Sequence, residues 1–276
     1  MPTGVAAPPY LDRTLLDALS ASVVRASAAI LAIAPGALAT RHKADTSPVT
    51  AADEASQAVL LADLAELLPA LPVVSEEAVS DRTAPPGADF ILVDPLDGTR
   101  EFVEGRPEYT VNVALVRDRT PVVGLVAAPA LGLLWRGVVG HGAERLRFAP
   151  GHAAAVEPTA IRARAAPARL VIALSRSHLD PDTAAAAEQL PIAERLICGS
   201  AVKFCRIAEG SADVYPRLSP TSEWDVAAGH AVLAAAGGTV TRPDGSALTY
   251  GTGRSDFLIP AFMAWGDPAA ARRYAR

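Results

Sequence analysis

The stretch LVDPLDGTREF, residues 92–102, sets Asp94 and Asp97 three positions apart around a proline and places Gly98-Thr99 directly behind them. Two acids this close repel each other unless a cation lies between them. Pro95 fixes φ, which lets both carboxylates and the Leu96 carbonyl turn to one side. Gly98 permits close backbone approach, so the Gly98–Thr99 amides can cradle a phosphate where the next helix starts. Thr99 adds a hydroxyl placed to orient a water. Further acids fall at comparable places: Glu76 and Glu77 after an apolar run, and Asp225 at the head of WDVAAGHAVLAAAGG. Oxygen-only ligation by such a set suits a hard cation, Mg²⁺ above all. Each piece alone has a plainer reading. SEE reads as a solvated turn, Asp225 as a partner for a helix dipole, and DPLDG as a surface turn.

The elements that must bring these acids together can be read from periodicity. Residues 11–33 have apolar positions at helical spacing. A polar loop, TRHKADTSP, leads to a second helix with Thr50 as N-cap and Asp53 at its third position, a capping box with Asp in place of Glu. PVVSEE is a short strand, and FILV (90–93) is an apolar strand ending at Asp94. TVNVALV, PVVGLVAAPA and LLWRGVVG form an antiparallel meander. FAPGHAAAVEPTA (148–160) loses the alternation and divides the chain into two halves, 1–155 and 156–276. Beyond it come a strand (RLVIALS), a helix near 202–209, a strand (DVYPRL), a helix from about 224 to Gly237-Gly238, a turn (TRPDGSAL) and a final strand (DFLIPAFMAW). Strand ends and helix starts converge in layered α/β proteins, which would bring the acids to one place.

The 276 residues are half hydrophobic and one fifth charged, a globular composition. The net charge of −5 argues against nucleic-acid binding, which calls for a basic face. Cys198 and Cys205 are the only cysteines, so a disulfide framework is excluded and a reducing compartment fits. The start has no signal-peptide pattern, and ASVVRASAAILAIAP, broken by Arg25 and stopped by Pro35, reads as too short to span a bilayer. Cys205 reads as a buried helix thiol and His230 as a packed histidine.

In order, SEE, VDPLDGT with Asp94 eighteen residues after Glu76, and WDVAAGHAVLAAAGG resemble the lithium-sensitive, Mg²⁺-dependent phosphomonoesterase superfamily. That superfamily holds inositol monophosphatase, fructose-1,6-bisphosphatase and 3′(2′),5′-bisphosphate nucleotidase, and the likeness runs from about residue 40 to the end. DTSPVTAAD, SRSH (175–178), GSAVKFCRIAEG (199–210) and YPRLSPTSEWD (215–225) resemble the nucleotidase branch. The inositol branch carries a glutamate seven residues before the last metal aspartate, where this chain has Leu218.

The resemblance implies a mixed α/β fold, a layered α-β-α-β-α sandwich, with two or three Mg²⁺ ions. Glu76, Asp94, the Leu96 carbonyl, Asp97 and Asp225 would be metal ligands. Asp53 and Thr99, with Glu76, would act on the attacking water. Gly98, Thr99, His178, Ser200, Lys203, Arg217 and Asp225 would hold the substrate. By the resemblance that substrate would be adenosine 3′,5′-bisphosphate, cleaved to AMP and phosphate in sulfur assimilation, with 3′-phosphoadenosine 5′-phosphosulfate as a second. The expected protein is cytoplasmic, a monomer or homodimer, free of transmembrane segments, with peripheral attachment to the inner membrane left open. Two other readings stay on the table: an inositol or fructose phosphatase of the same superfamily, and a nucleotide sensor without catalysis.

Overall fold

The computed structural model describes residues 12–33, 41–42, 48–81, 86–149, 155–252 and 257–275. The middle of the expected polar loop, residues 43–47, lies outside them. In chain order the first elements are α1 (Arg13–Leu31), β1 (Arg41–His42), β2 (Pro48–Val49), α2 (Ala51–Leu67) and β3 (Val73–Ser75). A 3₁₀ turn (Glu76–Asp81), β4 (Phe90–Asp97) and the short α3 (Thr99–Val103) follow. Then come β5 (Thr110–Arg117), β6 (Thr120–Ala128), β7 (Leu133–Val138), β8 (Gly142–Arg147) and β9 (Val156–Ile161). The remainder is β10 (Leu170–Ser175), α4 (Pro181–Glu188), β11 (Ile192–Cys198), α5 (Val202–Ala208), β12 (Val214–Arg217) and β13 (Thr221–Ser222). The chain closes with α6 (Glu223–Ala235), β14 (Thr239–Thr241), β15 (Leu258–Ile259), β16 (Phe262–Trp265) and α7 (Pro268–Tyr274).

Strands β3 to β9 lie side by side in chain order, with β3 parallel to β4 and every later pair antiparallel. Their period-2 alternation sorts side chains to two cores. Ile91, Val93, Val111, Val113, Leu125 and Ala127 face α1 and α2. Phe90, Leu92, Ala114, Val116, Val126 and Ala128 face α5 and α6. Beyond α5 and α6 lies a second sheet, ordered β11-β10-β12-β16-β14, whose far side packs on α4 and α7. The result is the expected α-β-α-β-α sandwich.

Helix α6 is the central element and is buried nearly all round, the mark of an interior helix. It sits so close to the first sheet that a Cβ on Gly124 would stand 2.2 Å from the Ala228 carbonyl oxygen. That contact seats α6 against the sheet, with Asp225 in its first turn.

Several local expectations are corrected. Strand β4 does not stop at Asp94 but continues to Asp97, with a register shift between them, because Pro95 has no N–H to give the ladder. The stretch around 148–160 holds β9, which pairs with β8. Strands β8 and β11 and helices α4 and α7 go unseen in the periodicity, and the expected last strand is two, β15 and β16, in different sheets. Helix α1 has the length and apolarity to cross a membrane, contrary to the reading of its segment as too short. In the fold its Leu19, Val23, Val24, Ala26 and Ile30 are core residues, and Arg25 pairs with Asp63 of α2 at 2.7 Å.

Candidate active site

Two capping boxes set the acids at helix starts. In α2 the Thr50 hydroxyl and backbone N–H donate to Asp53 Oδ2 at 2.7 and 2.8 Å. In α6 the Ser222 N–H donates to Asp225 Oδ2 at 3.3 Å, and the Thr221 hydroxyl donates to the same oxygen. Each box satisfies orphan N–H groups and locks one carboxylate rotamer. The bulge of β4 supplies the other pair. The Leu96 N–H donates to Asp94 Oδ1 at 3.0 Å, and the Ser56 hydroxyl holds the Pro95 carbonyl at 2.7 Å. Asp97 Oδ2 accepts from the Ala201 N–H at 2.8 Å, with Thr110 and Asn112 at 3.3 and 3.4 Å.

These devices bring oxygens of Asp94, Asp97 and Asp225 within 4.8 Å of one another. Glu76, in the 3₁₀ turn after β3, lines the same cavity. The crowding shows in the acid strengths. Burial first, then Glu76, Asp97 and Asp225, hold Asp94 well above the usual carboxylate range. Burial and Asp225 push Asp97 up to about 7, with Lys203 opposing. Asp225 is raised by burial and Glu76. Such a cluster is costly as bare anions, and its donors are all oxygen, so the residues fit a hard divalent cation.

Next to the cluster, Thr99 Oγ1 stands 3.2 Å from both Asp53 Oδ1 and the Leu96 carbonyl. Burial raises the Asp53 pKa, while Thr50 works against it. Gly98 adopts φ +89°, and a Cβ there would meet the Ser200 hydroxyl at 2.3 Å.

The cavity, about 360 Å³, also receives His178, Ser200, Lys203 and Arg217. Lys203 is buried, donates to the Ser200 carbonyl at 2.7 Å and lies 5.0 Å from the centre of the Tyr215 ring. Arg217 donates to the Pro220 carbonyl at 3.4 Å and keeps its Nε buried with no partner. His178 stands at the rim, its pKa lowered by burial and by Arg217 and Arg100. The Ser200 hydroxyl lies 2.9 Å from each of the Asp97 and Glu108 carbonyls. Its proton is therefore taken up by main chain. All the site residues expected from sequence thus border one cavity or, for Asp53, adjoin it through Thr99.

The sequence reading missed Glu101, Arg100 and Thr221, which also line the cavity. Thr221 had a signal, four residues before Asp225 at the capping box, and Arg100 and Glu101 directly follow the motif. Outside the site, His230 Nδ1 lies 2.9 Å from the Tyr250 hydroxyl and burial lowers its pKa to about 4, a packed histidine. Cys205 is fully buried in α5.

Residues 12–265 match the Inositol monophosphatase family. The 3′(2′),5′-bisphosphate nucleotidase CysQ of Escherichia coli O157:H7 is 40% identical over 257 residues, 90% of this chain and 98% of that protein. The crystal structure of CysQ from Bacteroides thetaiotaomicron, a bacterial member of the inositol monophosphatase family, superposes with a TM-score of 0.76. It is 34% identical and covers 94% of this chain and 98% of its own. An IMPase from Thermotoga maritima shares the fold with a TM-score of 0.73 at 22% identity, covering 93% of this chain and 94% of its own. With residues 12–265 matched and a relative 40% identical over nearly its whole length, the chain belongs to the inositol monophosphatase family.

Proposed function

We propose that this protein is a cytoplasmic, Mg²⁺-dependent phosphomonoesterase that cleaves the 3′-phosphate of adenosine 3′,5′-bisphosphate to give AMP and phosphate. The observation that carries the reading is one cavity in which an acid cluster adjoins Lys203 and Arg217, with the Arg217 Nε buried and unpartnered. A cluster for the reacting phosphate and two cations for a second anion match a substrate with two phosphates. The likeness to nucleotidases named CysQ supports the same substrate and a place in sulfur assimilation. The sulfated analogue, 3′-phosphoadenosine 5′-phosphosulfate, presents the same pair of charges.

Glu76, Asp94, the Leu96 carbonyl, Asp97 and Asp225 would hold two or three Mg²⁺ ions, which when bound supply Lewis-acid stabilisation and acidify water. The chain's own part is proton transfer and positioning. Thr99 takes the proton of the attacking water and passes its own to Asp53, whose raised pKa makes it the stronger base. The Gly98 and Thr99 amides donate to the oxygens of the reacting phosphate. Lys203 and Arg217 hold the phosphate that stays, and His178 at the rim meets the nucleoside.

The test is Mg²⁺-dependent phosphate release from adenosine 3′,5′-bisphosphate, inositol 1-phosphate and fructose 1,6-bisphosphate side by side, with and without Li⁺. The bisphosphonucleoside is expected to be turned over best, and Lys203→Ala and Arg217→Ala to lose mainly that substrate. Equal loss on inositol phosphate would remove the nucleotide assignment, and absence of release from all three would leave a sensor.

A further inference from the structure

The cavity contains one acid that phosphate hydrolysis does not call for. Glu101, in α3, is 3% exposed and lines the cavity beside Gly98 and Thr99. Its Oε1 accepts from the Ser177 hydroxyl, in the segment after β10. Its Oε2 lies over the Gly98 turn, 3.2 Å from where a Gly98 Cβ would stand. Among the described residues Glu101 has no ion pair within 4.0 Å. It lies close enough to both Asp97 and His178 for its charge to act on them. It therefore spans the gap between the acid cluster and the rim that meets the nucleoside.

A carboxylate has about four acceptor sites, and Ser177 fills one. An acid in a phosphate-binding cavity repels its ligand, and a buried acceptor left empty costs binding. Both penalties are offset only when the substrate brings a proton donor to that spot. Next to the reacting phosphate of a nucleotide, the donor at hand is the sugar hydroxyl on the adjacent carbon. We propose that Glu101 accepts a hydrogen bond from the hydroxyl vicinal to the scissile phosphate, making the site selective for ribo- over 2′-deoxyribonucleotides. The inference rests on the nucleotidase reading above and names the part of that substrate that is recognised. Ser177, reaching from the second half of the chain, keeps the carboxylate from swinging out of the cavity.

The experiment compares kcat/KM for adenosine 3′,5′-bisphosphate and its 2′-deoxy analogue in the wild type, Glu101→Gln and Glu101→Ala. A hydrogen bond to a charged acceptor sets the expected wild-type preference for the ribose substrate at about 10- to 100-fold. Glu101→Ala is expected to bring the ratio to within about threefold of unity, and Glu101→Gln, which keeps a neutral acceptor, to an intermediate value. The ratio is internal to each preparation, so a variant that folds in low yield still reports it. If Glu101 only ties α3 to Ser177, both substrates lose equally and the ratio survives, which overturns the inference. A wild type that cleaves both analogues equally overturns it as well, yet leaves the nucleotidase reading standing. A wild type that cleaves neither but releases phosphate from inositol 1-phosphate overturns the nucleotidase reading, and the inference with it.

Discussion

Replacing Asp97 by asparagine removes one charge from the acid cluster while leaving its packing in place. In the metal-free protein, burial and Asp225 push Asp97 up to about 7 from an ordinary 3.8, against the pull of Lys203. Between those values the folded chain holds a proton that the unfolded chain has released. Stability therefore falls as pH rises through that window, and the full cost is present above it. About three pH units at ~1.4 kcal/mol each set an upper figure of about 4 kcal/mol. Solvent on the cavity side screens the charge and lowers this to about 2 kcal/mol. Asparagine keeps an oxygen for the Ala201 N–H and does not ionise. Metal-free Asp97→Asn is therefore expected to melt about 4 °C above wild type near pH 7.5, and level with it near pH 4. Phosphate release should be lost at the same time. Added Mg²⁺ should raise the wild-type melting temperature more than that of the variant, because the cation binds the ionised site. Scanning calorimetry across that pH range, first in a chelator and then with excess Mg²⁺, reads the melting temperatures, and a phosphate-release assay in Mg²⁺ reads the turnover. A wild-type melting temperature that stays flat from about pH 4 to 7.5, or a variant less stable than wild type at the upper end, would refute the electrostatic account.

Two further substitutions probe the turn itself. Thr99→Ala is expected to lower kcat by about 10²–10⁴-fold with KM little changed, since it removes the proton path to Asp53 and leaves the phosphate contacts; steady-state kinetics at saturating substrate checks it. Gly98→Ala forces a Cβ against the Ser200 hydroxyl at φ +89° and should cost about 1–3 kcal/mol, seen as a lower melting temperature together with reduced turnover.

Much of the site is legible without coordinates because its chemistry is local. Asp94, Asp97, Gly98 and Thr99 share one bulge and turn, and Asp53 and Asp225 each occupy the third position of a capping box. Backbone geometry over four residues is enough to say what those side chains can do. The alternation in β4 to β6 is equally local, and it sorts each strand to two cores. Other features escape such a reading. Strand β9 is mostly exposed and shows no alternation, α4 is short and alanine-rich, and β11 is short with mostly exposed positions, so packing against neighbours distant in sequence decides their form.

The sequence by itself determined that two acids, a glycine and a threonine share one turn with oxygen donors suited to a hard cation, because Pro95 and Gly98 constrain the backbone whatever surrounds them. Only the tertiary structure decided what each polar group is free to do. Ser200 looked available to substrate, yet its hydroxyl is turned to the carbonyls of Asp97 and Glu108. Glu101 drew no reading from the sequence, yet the packing of the second half over α3 buries it beside Gly98 and Thr99. Hydrogen-bond partners far apart in sequence, and the solvent their approach excludes, exist only once the layers have closed.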